Sequence, residues 1–192
     1  MPSTQSLELF ATLAGFLNII LCIRANIWNW FFGIVMVVLY AVVFYQTKLY
    51  ADMGFQCVAL VLQFYGLKRW SEKLKLEPTP LKITPKKIWW IALSSTMVLF
   101  GAIAFLLARY TDSNTVLIDA ATTAGSLVAL WMQANAWIGH WLLWIVVCSA
   151  SVEMYLIKNL YYTAGLFFIF IILNGFGFYR WRAQLRLTKE NW

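Results

Sequence analysis

The stretch WFFGIVMVVLYAVVFYQTKLYADMGFQCVALVLQFYGLKRW, Trp30 to Trp70, occurs twice in this chain. Moved forward until Trp30 meets Trp141, a shift of 111 positions, it falls without a gap on Trp141 to Trp181. The pairs then identical are Trp30/Trp141, Ile34/Ile145, Val35/Val146, Leu49/Leu160, Tyr50/Tyr161, Gly54/Gly165, Leu62/Leu173, Gly66/Gly177, Arg69/Arg180 and Trp70/Trp181. Apolar composition alone matches Leu, Ile and Val. It does not align two Trp pairs, a Leu-Tyr pair, two Gly and a terminal Arg-Trp. Further back the repeat continues with a one-residue slip, as Thr12, Ala14, Gly15 and Leu17 fall on Thr122, Ala124, Gly125 and Leu127. Two copies of one unit, about 60 residues each, are therefore the skeleton of the chain.

Of the 192 residues, 62% are apolar and 12% charged, with a mean hydropathy of +0.71. A water-soluble domain has too little polar surface at that composition, so the chain belongs in a membrane. Cys22, Cys57 and Cys148 lie in apolar runs without paired spacing, which supports neither a disulfide framework nor a metal site. The opening MPSTQSLELF has no basic n-region, so the first apolar segment is expected to be part of the mature structure. No Walker-type phosphate loop and no HExxH occurs. Neither enzymatic chemistry nor a bound cofactor is expected.

Seven apolar segments approach the ~20 residues that cross the hydrocarbon: about 6–23, 28–45, 50–67, 88–108, 116–134, 138–156 and 161–179. The long polar stretch from Lys68 to Lys87, with Pro78 and Pro80, reads as a linker. The positive net charge of +7 follows the loops, which argues against nucleic acid and for orientation in a bilayer. With the linker inside, twelve basic residues face the cytoplasm: Arg24, Lys68, Arg69, Lys73, Lys75, Lys82, Lys86, Lys87, Arg180, Arg182, Arg186 and Lys189. Only Lys48, Arg109 and Lys158 then lie outside. This places the N-terminus outside and the C-terminus in the cytoplasm.

The expected fold is an all-α membrane protein of seven transmembrane helices in a 3+1+3 arrangement. It forms one membrane domain over 1–192. Repeat one covers 6–70; the linker 68–87 and a connecting helix 88–108 follow, and then repeat two over 116–182. The extra helix restores the direction of the second copy, so the two repeats run parallel. That is a transporter architecture, with solute bound between the repeats at mid-membrane.

Polar side chains within the apolar segments are the candidates for chemistry. Glu153 stands where the first copy has Val42; it either faces a cationic solute or is solvated at the membrane edge beside Lys158. Gln56 and Gln63 lie two turns apart, and Asn174 aligns with Gln63. Such amides read a carboxamide or an aminopyrimidine through paired donor and acceptor, or else hold helices together. Trp141 and Trp144 either stack on a flat ring or pack in the core; Trp144 shares a face with Cys148 and Ser151. Trp28, Trp70, Trp181 and Trp192 read as interfacial anchors. The matched glycines Gly15/Gly125, Gly54/Gly165 and Gly66/Gly177 read as close helix contacts. His140, with no carboxylate nearby in sequence, is a poor metal or proton-relay candidate.

Asn29 to Ile34, Phe44 to Ala51, His140 to Ile145 and Tyr155 to Gly165 resemble the PnuC family of bacterial vitamin transporters. The resemblance covers nearly the whole chain. It implies a fold similar to the SWEET sugar transporters, residence in the bacterial inner membrane, and a homotrimer. It also implies facilitated uptake of nicotinamide riboside, trapped inside by phosphorylation. The partner is then a small cationic vitamin in a lipid bilayer, with Gln56, Gln63, Trp141, Trp144, Cys148, Glu153 and Asn174 as the solute-binding residues. Relatives commonly carry Asn at the place of His140, Asn or Asp at Cys148, and a small or apolar residue at Glu153. Thiamine, also a flat aromatic cation, is the alternative solute.

Overall fold

The computed structural model describes residues 4–47, 50–75, 80–110, 115–157 and 161–190. These form seven helices: α1 (Thr4–Ile23), α2 (Trp28–Gln46), α3 (Tyr50–Leu74), α4 (Lys86–Tyr110), α5 (Val116–Ala134), α6 (His140–Ile157) and α7 (Tyr161–Glu190). Helix is the form a backbone takes in hydrocarbon, because each N–H and C=O is then satisfied within its own segment. A 19-residue helix such as α2 spans about 28 Å at the usual rise, close to the hydrocarbon thickness.

All except α3 are long and apolar enough to cross a membrane. α3 has the length, with 25 residues, but Asp52, Gln56 and Gln63 lower its apolar average. Two helices outrun their apolar segments. α3 continues through Lys68–Leu74, which reads as linker in the sequence, and α7 continues to Glu190. Charged side chains mark where hydrocarbon stops, while Lys, Arg, Glu and Leu remain good helix formers beyond that point.

The chain divides into two compact units. The first comprises Met1–Leu81 with Ala134–Ala136, and the second Lys82–Gln133 with Trp137–Trp192. In the first, α2 packs against both α1 and α3. Trp30 of α2 meets Trp70 of α3 edge to face, with ring centroids 5.5 Å apart and planes at 78°. Gly66 leaves the notch that admits the Trp30 indole, which a Cβ there would strike. In the second unit α6 packs on α7. Trp141 meets Trp181 at 5.4 Å and 88°, and a Cβ on Gly177 would come within 2.6 Å of the Trp141 ring. All four indoles are at most 1% exposed. Trp70 and Trp181 are therefore core residues and not interfacial anchors. Trp28, 58% exposed, keeps the character of an anchor, and Trp192 lies outside the described residues.

The repeat is also written in the turns. α1 ends on Ala25 at φ 53°, with Asn26 N–H donating to Leu21 O at 2.9 Å and Ala25 N–H to Cys22 O at 2.9 Å. This is the six-to-one, five-to-two closure that favours a left-handed residue at its centre. α5 leads into Ala136 at φ 58°, and Trp137 N–H donates to Met132 O at 3.2 Å. The one-residue slip has a packing counterpart. Gly15 faces Met36 and Gly125 faces Val147, so the glycines are 110 apart and their partners 111. In the second unit α4 packs through Ala92 on Val128 and Met132 of α5. The segment before α4 is fastened too: Ile138 N–H donates to Lys82 O at 2.9 Å and Gly139 N–H to Thr84 Oγ1 at 2.8 Å.

Gly54 and Gly165 depart from the sequence reading, since a Cβ on either meets nothing within 4 Å. They are not close helix contacts within the described residues. This contrast sets a test. Gly66→Val and Gly177→Val are expected to lower stability by about 1–3 kcal/mol through overpacking, whereas Gly54→Ala and Gly165→Ala leave it unchanged or raise it slightly. Thermal unfolding of the four purified variants in detergent reads the difference, and equal effects at all four positions would contradict the packing described.

Candidate functional site

Gln63 of α3 and Asn174 of α7 occupy matching places in the two units, while Trp144 and Cys148 of α6 match Gly33 and Val37 of α2. Gln63 is 3% exposed, and its carboxamide lies across Gly33 of α2. A Cβ at Gly33 would meet the Gln63 Oε1, Cδ and Nε2 at 2.5, 2.7 and 2.7 Å. The buried Oε1 has no hydrogen-bond partner. Two turns earlier, Gln56 lines a groove of about 300 Å³ between α2 and α3, whose other walls include Val37, Val42, Tyr45 and Cys57.

In the second unit Trp144 stands at the position of Gly33 and Asn174 at that of Gln63. Asn174 is equally buried, but its amide is used by its own helix. Nδ2 donates to Phe170 O at 2.7 Å and lies 3.9 Å from Cys148 Sγ. The structure thus joins Asn174 to Cys148, and Gln63 to Gly33, while Gln56, itself buried, lies along an apolar groove. Trp144 is half-buried, one turn beyond Trp141.

Trp141 itself is 1% exposed and enclosed by aromatic neighbours, His140 at 4.4 Å and Trp181 at 5.4 Å between ring centroids. Of the two readings offered by the sequence, core packing describes its surroundings. His140 is fully buried; its Nδ1 lies 2.8 Å from Trp137 O. A carbonyl only accepts, so Nδ1 carries the proton and the imidazole is held in one tautomer. Asn29 occupies the corresponding place in the first unit and donates from Nδ2 to Asn26 O at 2.6 Å. His140 therefore substitutes for an amide in a helix-start hydrogen bond. Among the described residues no cluster of His, Cys, Asp or Glu fits a metal.

Glu153 is exposed on the second-last turn of α6. Its counterpart Val42 is 40% exposed and lines the groove of the first unit. Lys158, the alternative partner for Glu153, lies outside the described residues.

One polar cluster escaped the sequence reading. Asn135, 6% exposed, accepts at Oδ1 from Arg69 Nη2 at 3.1 Å and from the Tyr65 hydroxyl at 3.5 Å. The Arg69 guanidinium stands 6.0 Å from the Tyr65 ring centre. The available signal was the four-residue spacing of Tyr65 and Arg69 on α3. Arg69 read as a match of the repeat and as part of the basic flank.

Six helices able to cross a membrane, among the seven of the described residues, with buried amides and indoles between them, are the features of a multi-pass membrane protein. The chain belongs to the nicotinamide mononucleotide transporter family, whose model matches residues 5–183. It is 25% identical to the nicotinamide riboside transporter PnuC of Escherichia coli K12, over 88% of this chain and 82% of that protein. It is 26% identical to the protein of the same name from Neisseria mucosa, over 76% of this chain and 57% of that one. The crystal structure of the vitamin B3 transporter PnuC superposes with a TM-score of 0.75 at 23% identity, covering 94% of this chain and 82% of the other. The fold is shared.

The two amides make opposite demands on stability. A buried group without a partner carries its full desolvation cost, about 1–3 kcal/mol. Gln63→Met, which keeps the unbranched shape, is expected to leave the unfolding temperature unchanged or to raise it. Asn174→Leu is expected to lower stability by about 1 kcal/mol. Loss of stability in Gln63→Met as large as in Asn174→Leu would show that the Gln63 amide holds the fold.

Proposed function

We propose that this protein is a facilitator that admits nicotinamide riboside across the bacterial inner membrane. Membership of residues 5–183 in the family, with relatives named for riboside transport over most of the chain, is the observation that carries this reading. The family description names the mononucleotide, and the charges decide between the two. In the sequence between His140 and Tyr179 the acidic residue is Glu153 and the basic one Lys158. A phosphate calls for Arg or Lys donors, whereas a fixed pyridinium calls for a carboxylate and ring faces. The riboside fits this charge pattern.

The working arrangement is 3+1+3, two parallel three-helix repeats joined by α4, with the N-terminus outside, the C-terminus in the cytoplasm, and the protomers in a homotrimer. Gln56, Gln63, Trp144, Cys148 and Asn174 face the solute, Trp141 holds α6 to α7 behind them, and Glu153 balances the positive ring. Trp144 contributes a cation–π contact of about 0.5–2 kcal/mol. Transport is downhill, with solute shifting the balance between inward- and outward-open populations.

Three measurements test this. Proteoliposomes should equilibrate labelled nicotinamide riboside, indifferent to imposed proton or sodium gradients and with thiamine a poor competitor; accumulation above the outside concentration without a kinase would refute downhill transport. Glu153→Gln should weaken riboside binding by about tenfold, the scale of one charged hydrogen bond, with oligomer size unchanged; wild-type affinity in that variant returns Glu153 to a solvated edge. Single cysteines at Glu72 and Arg186, both exposed, should resist impermeant reagents added outside intact cells when Cys22, Cys57 and Cys148 are replaced. Efficient labelling at either would invert the topology.

A further inference from the structure

We infer that Gly33 is a positioning residue for solute selection: it leaves room for the Gln63 carboxamide to lie across α2 with its buried edge unpaired, reserved for a primary amide on the solute. The inference deepens the functional reading above and rests on it.

Three observations carry it. The Gln63 amide occupies the place that a Cβ on Gly33 would take, meeting all three of its terminal atoms at 2.5–2.7 Å. Gln63 is 3% exposed and its Oε1 has no partner, although buried polar groups in folded proteins are nearly always paired. The second copy solves the same packing problem differently. It places Trp144, the largest side chain, at the position of Gly33, and the shorter Asn174 at that of Gln63, with its amide bound to Phe170 O at 2.7 Å. Helix packing in this repeat therefore does not require glycine at that point. What glycine alone provides in the first copy is the position and the unpaired state of the Gln63 amide.

A carboxamide offers one accepting and one donating edge, so its complement is another carboxamide. A carboxylate has no N–H to give Oε1 and presents lone pairs to it. A site built around such a bond rejects the analogue that cannot make it, because its own group is then left unpaired. The selection is thus for the amide over the acid form of the pyridine ring. The displaced atoms in Gly33→Ala are the far end of a flexible side chain, so that variant should fold with the amide pushed away.

The test compares binding of nicotinamide riboside and nicotinic acid riboside to the full-length protein in lipid nanodiscs. The variants are Gly33→Ala, Gln63→Met and the double substitution. In the wild type the amide form should bind at least about tenfold tighter. Each single variant should lose that preference by weakening the amide form alone. The double variant should be no worse than either single one, as expected of two residues acting through one contact. Gln63→Asn, which withdraws the amide without touching α2, should lose the preference as well and serves if Gly33→Ala does not fold. A wild-type ratio retained in Gly33→Ala or in Gln63→Asn, both ribosides weakened equally, or multiplying effects in the double variant would overturn the inference. Absence of nicotinamide riboside binding to the wild type would instead overturn the functional reading, and the inference with it.

Discussion

Each copy of the repeat depends on an indole set into a glycine notch. In lipid, helices gain no hydrophobic energy by meeting, because the surrounding tails are as apolar as leucine. What remains is close packing, and Trp30 on Gly66 and Trp141 on Gly177 supply it with the largest side chain against the smallest. Edge-to-face contact with Trp70 and Trp181 fixes the rotation of each helix pair. With that rotation set, the turns at Ala25 and Ala136 close alike, and Asn29 and His140 meet the same backbone position in the two copies.

On this common frame the copies have diverged one turn into α2 and α6 and midway along α3 and α7. Small with long, Gly33 with Gln63, faces large with short, Trp144 with Asn174. One copy therefore holds an amide oxygen without a partner, and the other an indole beside an amide already bound to its helix. The exposed Glu153, in place of Val42, extends the same asymmetry to charge.

Much of this was legible in the sequence because the repeat aligns residues by role. The Trp30/Trp141, Trp70/Trp181 and Gly66/Gly177 matches marked the framework before any helix was placed. Their burial was misread for Trp70 and Trp181, since an Arg-Trp pair closing an apolar run has the pattern of a membrane edge. Only the continuation of α3 to Leu74 and α7 to Glu190 lets those indoles turn inward. Gly54 and Gly165 looked equivalent to Gly66 and Gly177, yet a glycine's role depends on what stands opposite, which spacing along one helix cannot tell. For the same reason the alignment of Gln63 with Asn174 showed two amides but not their different partners. Those are set by Gly33 and Trp144 on the neighbouring helix. The Asn135 cluster joins Tyr65 and Arg69 to a residue 70 and 66 positions away, a partner that their four-residue spacing alone could not reveal.

On the proposed function, the purified protein binds one nicotinamide riboside per chain. Isothermal titration with nicotinamide riboside in lipid nanodiscs measures this directly. The account predicts saturable binding at one riboside per chain, abolished or strongly weakened in Trp144→Ala. Two equivalent sites per chain, or no heat of binding with the riboside while thiamine binds, would contradict it.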